Sequence, residues 1–213
     1  MHSRIANVTN LRFQKKSMNL IHNLFHFIKP VLPIAIIVGG LQITGQLGHV
    51  VSFSQSAILK SGIMNAGTEL DAGEDFDFNI KALSPDGKAL SMDSLKNKVV
   101  FLNLWATWCG PCRAEMPTIQ NLYNEVKEKD VVFILLSIDK IDAERKVKDY
   151  VAKNKYTFPV YILSGQPNNQ LRVPSIPTTF IISKSGRVIR KEVGMRNYNT
   201  EKFKKFLLKE ARE

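Results

Sequence analysis

The sequence contains few of the side chains that build metal sites. Only two of its 213 residues are cysteines, Cys109 and Cys112, and all four histidines lie before residue 50. A structural zinc site needs four ligands, so the cysteine pair lacks a second ligand pair. His22 and His26 are four residues apart, but two ligands alone make a poor site, and an interfacial membrane helix explains them better. We therefore predict no metal.

Acidic residues are absent from residues 1–60, which carry six basic ones, and residues 30–59 contain no charged side chain at all. A membrane span needs about 20 apolar residues, and basic residues ahead of it keep the N-terminus in the cytoplasm. A cleaved signal peptide is the alternative, although the 29 residues before the apolar stretch are a long N-terminal region for a signal peptide. The early segment carries +6 of the net charge of +11, so the basic excess indicates membrane topology and not a nucleic-acid partner.

This charge pattern predicts four parts and a single-pass protein of the cytoplasmic membrane. Its C-terminal domain is expected in the periplasm, or on the outer face of a cell without one. The predicted parts are a basic cytoplasmic segment (1–29), a transmembrane anchor (30–52), a linker (53–74) and a globular domain (75–213).

The globular part alternates strand and helix patterns, which predicts an α/β fold. An N-terminal hairpin is expected about the turn Pro85-Asp86-Gly87. A strand, a helix and a second strand in that order imply parallel pairing with a right-handed crossover. The predicted strands are 76–80, 88–92, 99–104, 131–138, 158–163, 173–183 and 187–193, and the predicted helices are 114–126, 142–154 and 200–212.

The cysteine pair lies where a buried strand meets a helix. Pro111 fits the first helical turn, where no backbone N–H partner is needed. Free N–H groups and the helix dipole favour a thiolate at Cys109, and a thiol pKa of about 8.5 can fall to about 7 or lower in such a site. Cys112, one turn further on, can resolve a mixed disulfide. A structural disulfide would restrain little of the unfolded chain, and a peroxidatic cysteine is disfavoured because the usual upstream proline is missing.

Residues 75–213 resemble the thioredoxin fold, and within it the TlpA/ResA-like membrane-anchored thioredoxins. Four features carry the resemblance. They are WCGPC at 108–112, Ile176-Pro177-Thr178, Lys184-Ser185-Gly186 followed by Val193-Gly194, and the segments 101–108 and 113–117 around the dithiol.

The resemblance implies a thioredoxin-like fold, a central mixed sheet flanked by helices, with Cys109 as nucleophile and Cys112 as resolving cysteine. Trp108 and Pro111 would border the substrate. Ile176, Pro177 and Thr178 would form a cis-proline loop whose backbone pairs with an extended substrate chain. In this branch a glutamate at the position of Glu115 is thought to assist proton transfer, and the alternative is a solvated acid in the first helical turn. Asn103 occupies the position of the buried aspartate of thioredoxin.

The expected function is therefore a membrane-anchored, extracytoplasmic thiol:disulfide oxidoreductase. It would reduce disulfides of substrate proteins, possess no cofactor beyond the Cys109–Cys112 disulfide, and draw electrons from a membrane thiol reductase. Apocytochrome c is a substrate suggested by the resemblance, which would place the protein in cytochrome c biogenesis. The alternative is a tethered binding or chaperone module with an incidental dithiol.

Overall fold

The structure is a computed structural model that describes residues 29, 32–34, 36–40, 54–55, 57–59, 61–67, 73–95, 97–127 and 129–213. The chain divides into two units, Met1–Val51 and Ser52–Glu213. In the first unit the described residues are helical, and Leu32, Ile34, Ile36 and Ile37 each expose more than half of their surface. Among the described residues, no helix has the length and apolar character that crossing a membrane requires. The predicted interfacial helix with His22 and His26, and most of the predicted anchor, lie outside the described residues.

The second unit contains an α/β fold built on a six-stranded mixed sheet, which confirms the predicted fold class. A 3₁₀ turn at Met92–Leu95 precedes the central strand. The strands are β1 (Ala82–Leu83), β2 (Val99–Trp105), β3 (Val131–Ser137), β4 (Val160–Leu163), β5 (Thr178–Ile182) and β6 (Val188–Val193), and the helices are α1 (Gly110–Val126), α2 (Ala143–Asn154) and α3 (Glu201–Glu210).

Strand β2 lies in the middle of the sheet, whose order is β1-β4-β3-β2-β5-β6. It runs parallel to β3, from Val99 opposite Val131 to Trp105 opposite Ser137, and antiparallel to β5. All seven residues of β2 are buried, as expected for a strand that is paired on both edges and covered on both faces. The residues that follow its C-terminal end are therefore held in a fixed position.

The core has two parts, one on each face of the sheet, because side chains alternate along a strand. Phe101 and Trp105 of β2 belong to the part that packs against the three helices, whereas Leu102 and Leu104 belong to the other. The connections from β2 to β3 and from β3 to β4 are parallel crossovers that run in the same direction across the sheet. Because such connections are right-handed, α1 and α2 lie on the same face. The second face is covered by chain segments between residues 76 and 95 and by residues 171–176.

The predicted N-terminal hairpin is only partly present. Its turn forms, with Ser84 N–H donating to the Lys88 carbonyl at 2.7 Å, but the strand on the N-terminal side is Ala82–Leu83, paired with β4, and not 76–80. The alternation in 76–80 does correspond to burial, since Phe76 and Ile80 are buried. The backbone there is bonded to loops and side chains instead, for example Asp77 N–H to Gln170 Oε1 at 2.7 Å. An alternating pattern predicts which side is buried, and does not predict which chain pairs with it.

Residues within the predicted linker pack against the globular part. Leu59 and Ala66 are 3% and 6% exposed. Ala66 N–H donates to the Asn197 carbonyl at 3.1 Å, and Asn197 N–H donates back to the Met64 carbonyl at 2.7 Å. Gly67 lies so close to β6 that a Cβ atom added to this glycine would be 2.0 Å from Arg190 Nη2.

Candidate redox-active site

The two cysteines lie at the junction between β2 and α1. Cys109 is the N-cap of α1, and Pro111 occupies its first turn as predicted. Cys109 and Cys112 form a disulfide with their Cα atoms 5.3 Å apart. The backbone N–H of Cys112 donates to Cys109 Sγ at 3.2 Å. The helix N-terminus thus directs at this sulfur an N–H that has no carbonyl partner within the helix, the arrangement that stabilises a thiolate once the bond is reduced.

A loop from another part of the chain approaches the same sulfur. The Ile176–Pro177 peptide bond is cis, as the resemblance implied. The Ile176 carbonyl oxygen lies 3.8 Å from Cys109 Sγ. The loop is held at both ends, because the Pro177 carbonyl accepts from Gly194 N–H at 2.8 Å and the buried Thr178 hydroxyl donates to the Ser175 carbonyl at 2.7 Å. Thr178 therefore shapes the loop from inside, while Ile176 is half-buried at its edge.

The two tryptophans have opposite environments. Trp105 is fully buried and packs against Tyr150 with ring centroids 5.5 Å apart, whereas Trp108 is 68% exposed next to Cys109. Ile141, in the loop after β3, is 77% exposed. Trp108, which the resemblance places at the border of the substrate, thus lies at the surface beside the cysteine, whereas Trp105 belongs to the core.

Glu115 is fully buried, one helical turn after Cys112 on the same face of α1. Its Oε1 accepts from Asn103 Nδ2 at 2.8 Å and its Oε2 from Arg196 N–H at 3.0 Å. Burial raises the pKa of Glu115 to about 8, although both hydrogen bonds work against this rise. The carboxyl group is therefore not the solvated helix-end acid that was the alternative explanation.

A chain of buried polar groups continues from Glu115 into the sheet. Asn103 Nδ2 also donates to Thr179 Oγ1 at 2.9 Å, and Tyr198 OH donates to the same oxygen at 2.7 Å. Burial, followed by the nearby Glu115 carboxyl, raises the pKa of Tyr198 well above its ordinary value, so this hydroxyl keeps its proton. Among the described residues, Asn103 Oδ1 has no hydrogen-bond partner.

A second buried acid holds the loop that contacts Glu115. Glu192 accepts from Arg190 Nε and Arg196 Nε, each at 2.8 Å, and from Gly67 N–H at 2.8 Å. Burial would raise the pKa of Glu192, but these hydrogen bonds hold it below its ordinary value. Through Arg196, this ion-pair cluster fixes the backbone N–H that is bonded to Glu115.

A third buried acid anchors the residues before the cysteines, and the sequence offered no local signal for it. Asp139 accepts from Thr107 N–H at 2.9 Å and from the Thr107 and Ser137 hydroxyls, each at 2.7 Å. Thr107 and Asp139 are 32 residues apart, and they meet because β2 and β3 are parallel neighbours that end at the same edge. The loop carrying Trp108 is thus tied to the loop carrying Ile141.

Within the part of the chain that the structure describes, no three His, Cys, Asp or Glu side chains converge in a way that could hold a metal ion. The pair His22 and His26 lies outside it. The chemistry available at the site is that of two sulfurs, one buried carboxyl group and an accessible peptide edge.

A cysteine pair at the N-terminus of a helix, beside a cis-proline loop on a mixed sheet, defines a thioredoxin-fold oxidoreductase. Residues 71–207 match the Redoxin family, so the chain belongs to that family. Its relatives support the ResA/TlpA type, and they are named thiol-disulfide oxidoreductases, which is consistent with the predicted class of enzyme, a thioredoxin-like oxidoreductase.

Two relatives and one solved structure illustrate the likeness. The thiol-disulfide oxidoreductase ResA of Bacillus anthracis is 42% identical over 110 residues, which make up 51% of this chain and 62% of that protein. The match thus spans less than two thirds of this relative. ResA of Bacillus cereus (strain ATCC 10987 / NRS 248) is 34% identical over 146 residues, or 68% of this chain and 83% of that protein. A thiol:disulfide interchange protein of the thioredoxin family from Chlorobium tepidum TLS superposes with a TM-score of 0.52 at 25% identity, covering 69% of this chain and 99% of that one.

Proposed function

We propose that this protein is a membrane-anchored, extracytoplasmic thiol:disulfide oxidoreductase that reduces disulfides of substrate proteins. The observation that carries the proposal is the position of Cys109 Sγ. It receives the Cys112 N–H at 3.2 Å and lies 3.8 Å from the carbonyl oxygen of Ile176, beside which an extended substrate chain would lie. A reactive sulfur and a peptide-pairing edge are thus adjacent.

In the first step the Cys109 thiolate attacks one sulfur of a substrate disulfide. A Cys109–substrate bond forms, and the other substrate sulfur leaves as a thiolate that takes a proton from solvent. The Ile176 carbonyl is free of any backbone hydrogen bond among the described residues, so it can accept an N–H from the substrate chain. Such backbone pairing would bind many sequences.

In the second step Cys112 attacks Cys109 Sγ, releases the second substrate thiolate and restores the intramolecular disulfide. The buried Cys112 thiol must first lose its proton, and the Glu115 carboxylate one turn away is proposed to take it. When a donor dithiol later reduces the disulfide, protonated Glu115 would return the proton to the leaving Cys112 sulfur. Two electrons pass from the donor to the substrate in each cycle, with no further cofactor.

Insulin reduction by dithiothreitol tests the activity. The full-length chain in detergent should accelerate precipitation of the insulin B chain, and Cys109→Ser should abolish that acceleration. Equal rates for wild type and Cys109→Ser would exclude the enzyme function.

A second candidate, a tethered binding or chaperone module, is favoured by the exposed apolar side chains Trp108 and Ile141 around the disulfide. Such a module would suppress aggregation of an unfolded protein equally well as wild type and as Cys109→Ser. The oxidoreductase predicts instead that its effect on disulfide-bonded clients depends on Cys109.

The proposed location is the cytoplasmic membrane, with one span, the N-terminus inside and the redox domain in the periplasm or outside the cell. The support is the uncharged stretch 30–59 behind basic residues, together with the exposed apolar side chains of the described helical residues 32–40. A membrane-impermeant maleimide applied to intact spheroplasts after mild reduction should label Cys109. Labelling only after lysis would exclude this topology.

The proposed partners are disulfide-bonded proteins and a membrane thiol reductase that supplies electrons. Apocytochrome c is the substrate suggested by the resemblance, because its haem-attachment motif C-x-x-C-H must be reduced. Cys112→Ser cannot resolve mixed disulfides and should retain substrates on Cys109 in cells, where mass spectrometry would identify them. Recovery of no disulfide-linked protein would contradict exchange in vivo.

A further inference from the structure

A groove of about 500 Å³ opens beside the cis-proline loop. Ile176 lines this groove, and its carbonyl oxygen is the atom 3.8 Å from Cys109 Sγ. A substrate segment bonded to Cys109 and paired along this loop therefore meets the groove within a few residues of its own cysteine. The volume falls in the range of about 300–1,000 Å³ that is usual for ligand sites in proteins.

The groove has an apolar floor and a basic rim. Leu104 and Leu171 are buried beneath it, and Val173 is half-buried at its wall. Two exposed cations, Lys140 and Arg172, stand at its edge. Among the described residues neither of these cations forms an ion pair.

The acid that also lines the groove offsets only part of the charge of this rim. Asp139 is 5% exposed, and both of its carboxylate oxygens accept hydrogen bonds from Thr107 and Ser137. Because Lys140 and Arg172 stand against this one acid, the net charge of the groove lining is positive. An apolar surface with unpaired cations at its edge complements an extended chain that carries an apolar side chain and a carboxylate.

We propose that this groove selects, among disulfide-bonded substrate proteins, extended segments with an acidic residue a few positions from the reacting cysteine. The proposal rests on the proposed function and adds a substrate preference to it. Backbone pairing at Ile176 would supply the common affinity, and the charge of Lys140 and Arg172 the discrimination.

The test uses peptide disulfides that differ only in one side chain, Glu, Gln or Lys, placed in turn at each of the four positions on either side of the cysteine. The reduced full-length chain in detergent is the reagent, and every rate is divided by the rate with the uncharged bis(2-hydroxyethyl) disulfide. At the preferred position the normalised kcat/KM should be about 5- to 10-fold higher for Glu than for Lys at low salt, and the ratio should shrink with added salt.

A matched pair of double variants distinguishes an effect of the charges at the groove from an effect of the net positive charge of the whole protein. Lys140→Glu with Arg172→Glu should abolish or invert the Glu-to-Lys ratio. Lys202→Glu with Lys205→Glu makes the same change in net charge on α3, whose core residues pack on the opposite face of the sheet, and should leave the ratio within twofold.

Equal rates for Glu and Lys peptides at every position, or an equal response to both double variants, would overturn the groove proposal. In either case reduction of the uncharged disulfide would leave the oxidoreductase function standing. Failure to reduce any disulfide would remove that function and this preference together.

Discussion

Replacing Glu115 with glutamine offers a quantitative check on the buried carboxyl group, because the substitution keeps its shape and removes its titration. The group is fully buried, and burial raises its pKa from an ordinary value of 4.5 to about 8. In the unfolded chain the carboxyl ionises near pH 4.5, whereas in the folded protein it stays protonated until about pH 8. The folded state therefore binds one more proton over this window.

Linkage gives the sign and the size of the effect. Where the folded state holds the extra proton, stability decreases by about 1.4 kcal/mol for each pH unit gained. The contribution of Glu115 is absent below about pH 4.5, and the destabilisation reaches about 5 kcal/mol above pH 8. Between pH 5 and pH 8, wild type should lose about 4 kcal/mol relative to Glu115→Gln from this residue alone.

The assay is guanidinium unfolding of the oxidised protein at several pH values, comparing wild type with Glu115→Gln. The glutamine can keep both contacts: its oxygen can accept from Arg196 N–H, and its amide can donate to Asn103 Oδ1 after a half-turn of the Asn103 side chain. Any remaining difference in packing is constant with pH. Glu144→Gln, an exposed substitution in the first turn of α2, is the control, and its difference from wild type should stay within about 0.5 kcal/mol. A pH-independent difference for Glu115→Gln would refute the reasoning.

Three further predictions concern the surroundings of the sulfurs. In the reduced protein, Cys109 should react with iodoacetamide with a midpoint below the value of about 8.5 for a free thiol, and Cys112, which exposes no surface, should react far more slowly. Trp108→Ala should leave the free energy of unfolding within about 0.5 kcal/mol, since the side chain is 68% exposed, yet raise the KM for insulin several-fold. Asp139→Ala should cost about 1–3 kcal/mol in urea unfolding, because buried donors including Thr107 N–H lose their acceptor.

Each of these has a control and a contrary outcome. A Cys109 midpoint at or above the free-thiol value would show that the helix terminus does not activate the sulfur. Trp105→Ala, three residues from Trp108, should cost about 3–5 kcal/mol as a buried aromatic, and equal costs for the two tryptophans would contradict their assigned environments. Asp149→Asn, an exposed change on α2, should be neutral, and a neutral Asp139→Ala would mean that the two loops do not depend on the hydrogen bonds of Asp139.

The cysteine site was predictable from sequence because its geometry is local. An apolar strand, two cysteines three positions apart and a proline in the first turn suffice to place Cys109 at a helix N-terminus, and the structure has it there. The environment of Glu115 was not predictable in this way. Its partner Arg196 is 81 residues away, and the same i+3 position after Cys112 suits a solvated acid equally well. Local spacing determines which face of a helix a residue occupies, whereas tertiary packing determines whether that face is dry.

The same distinction between local spacing and tertiary packing applies to the groove and to the contact between Asp139 and Thr107. Asp139 follows a strand whose apolar run predicts burial, but only the parallel register of β2 and β3 brings it to Thr107. Arg172 lies in a segment that is polar and loop-like in sequence, so no periodic signal indicates that it borders an apolar floor. The function of a charged residue on a loop depends on the surface that the loop borders, and that surface is formed by strands that are distant in sequence.

The buried acids also connect the redox site to residues that precede the predicted domain. Glu192 accepts from Gly67 N–H and from Arg196 Nε, and Arg196 N–H donates to Glu115. Loss of the segment around Gly67 would remove one of the donors that hold Glu192 ionised, together with the buried side chain of Ala66. The loop at Arg196 would then be less firmly held, and with it the hydrogen bond that opposes the rise in the Glu115 pKa. The proton affinity of Glu115 is therefore set partly by chain that lies about 40 residues before the cysteines, and the redox unit has to be considered together with that segment.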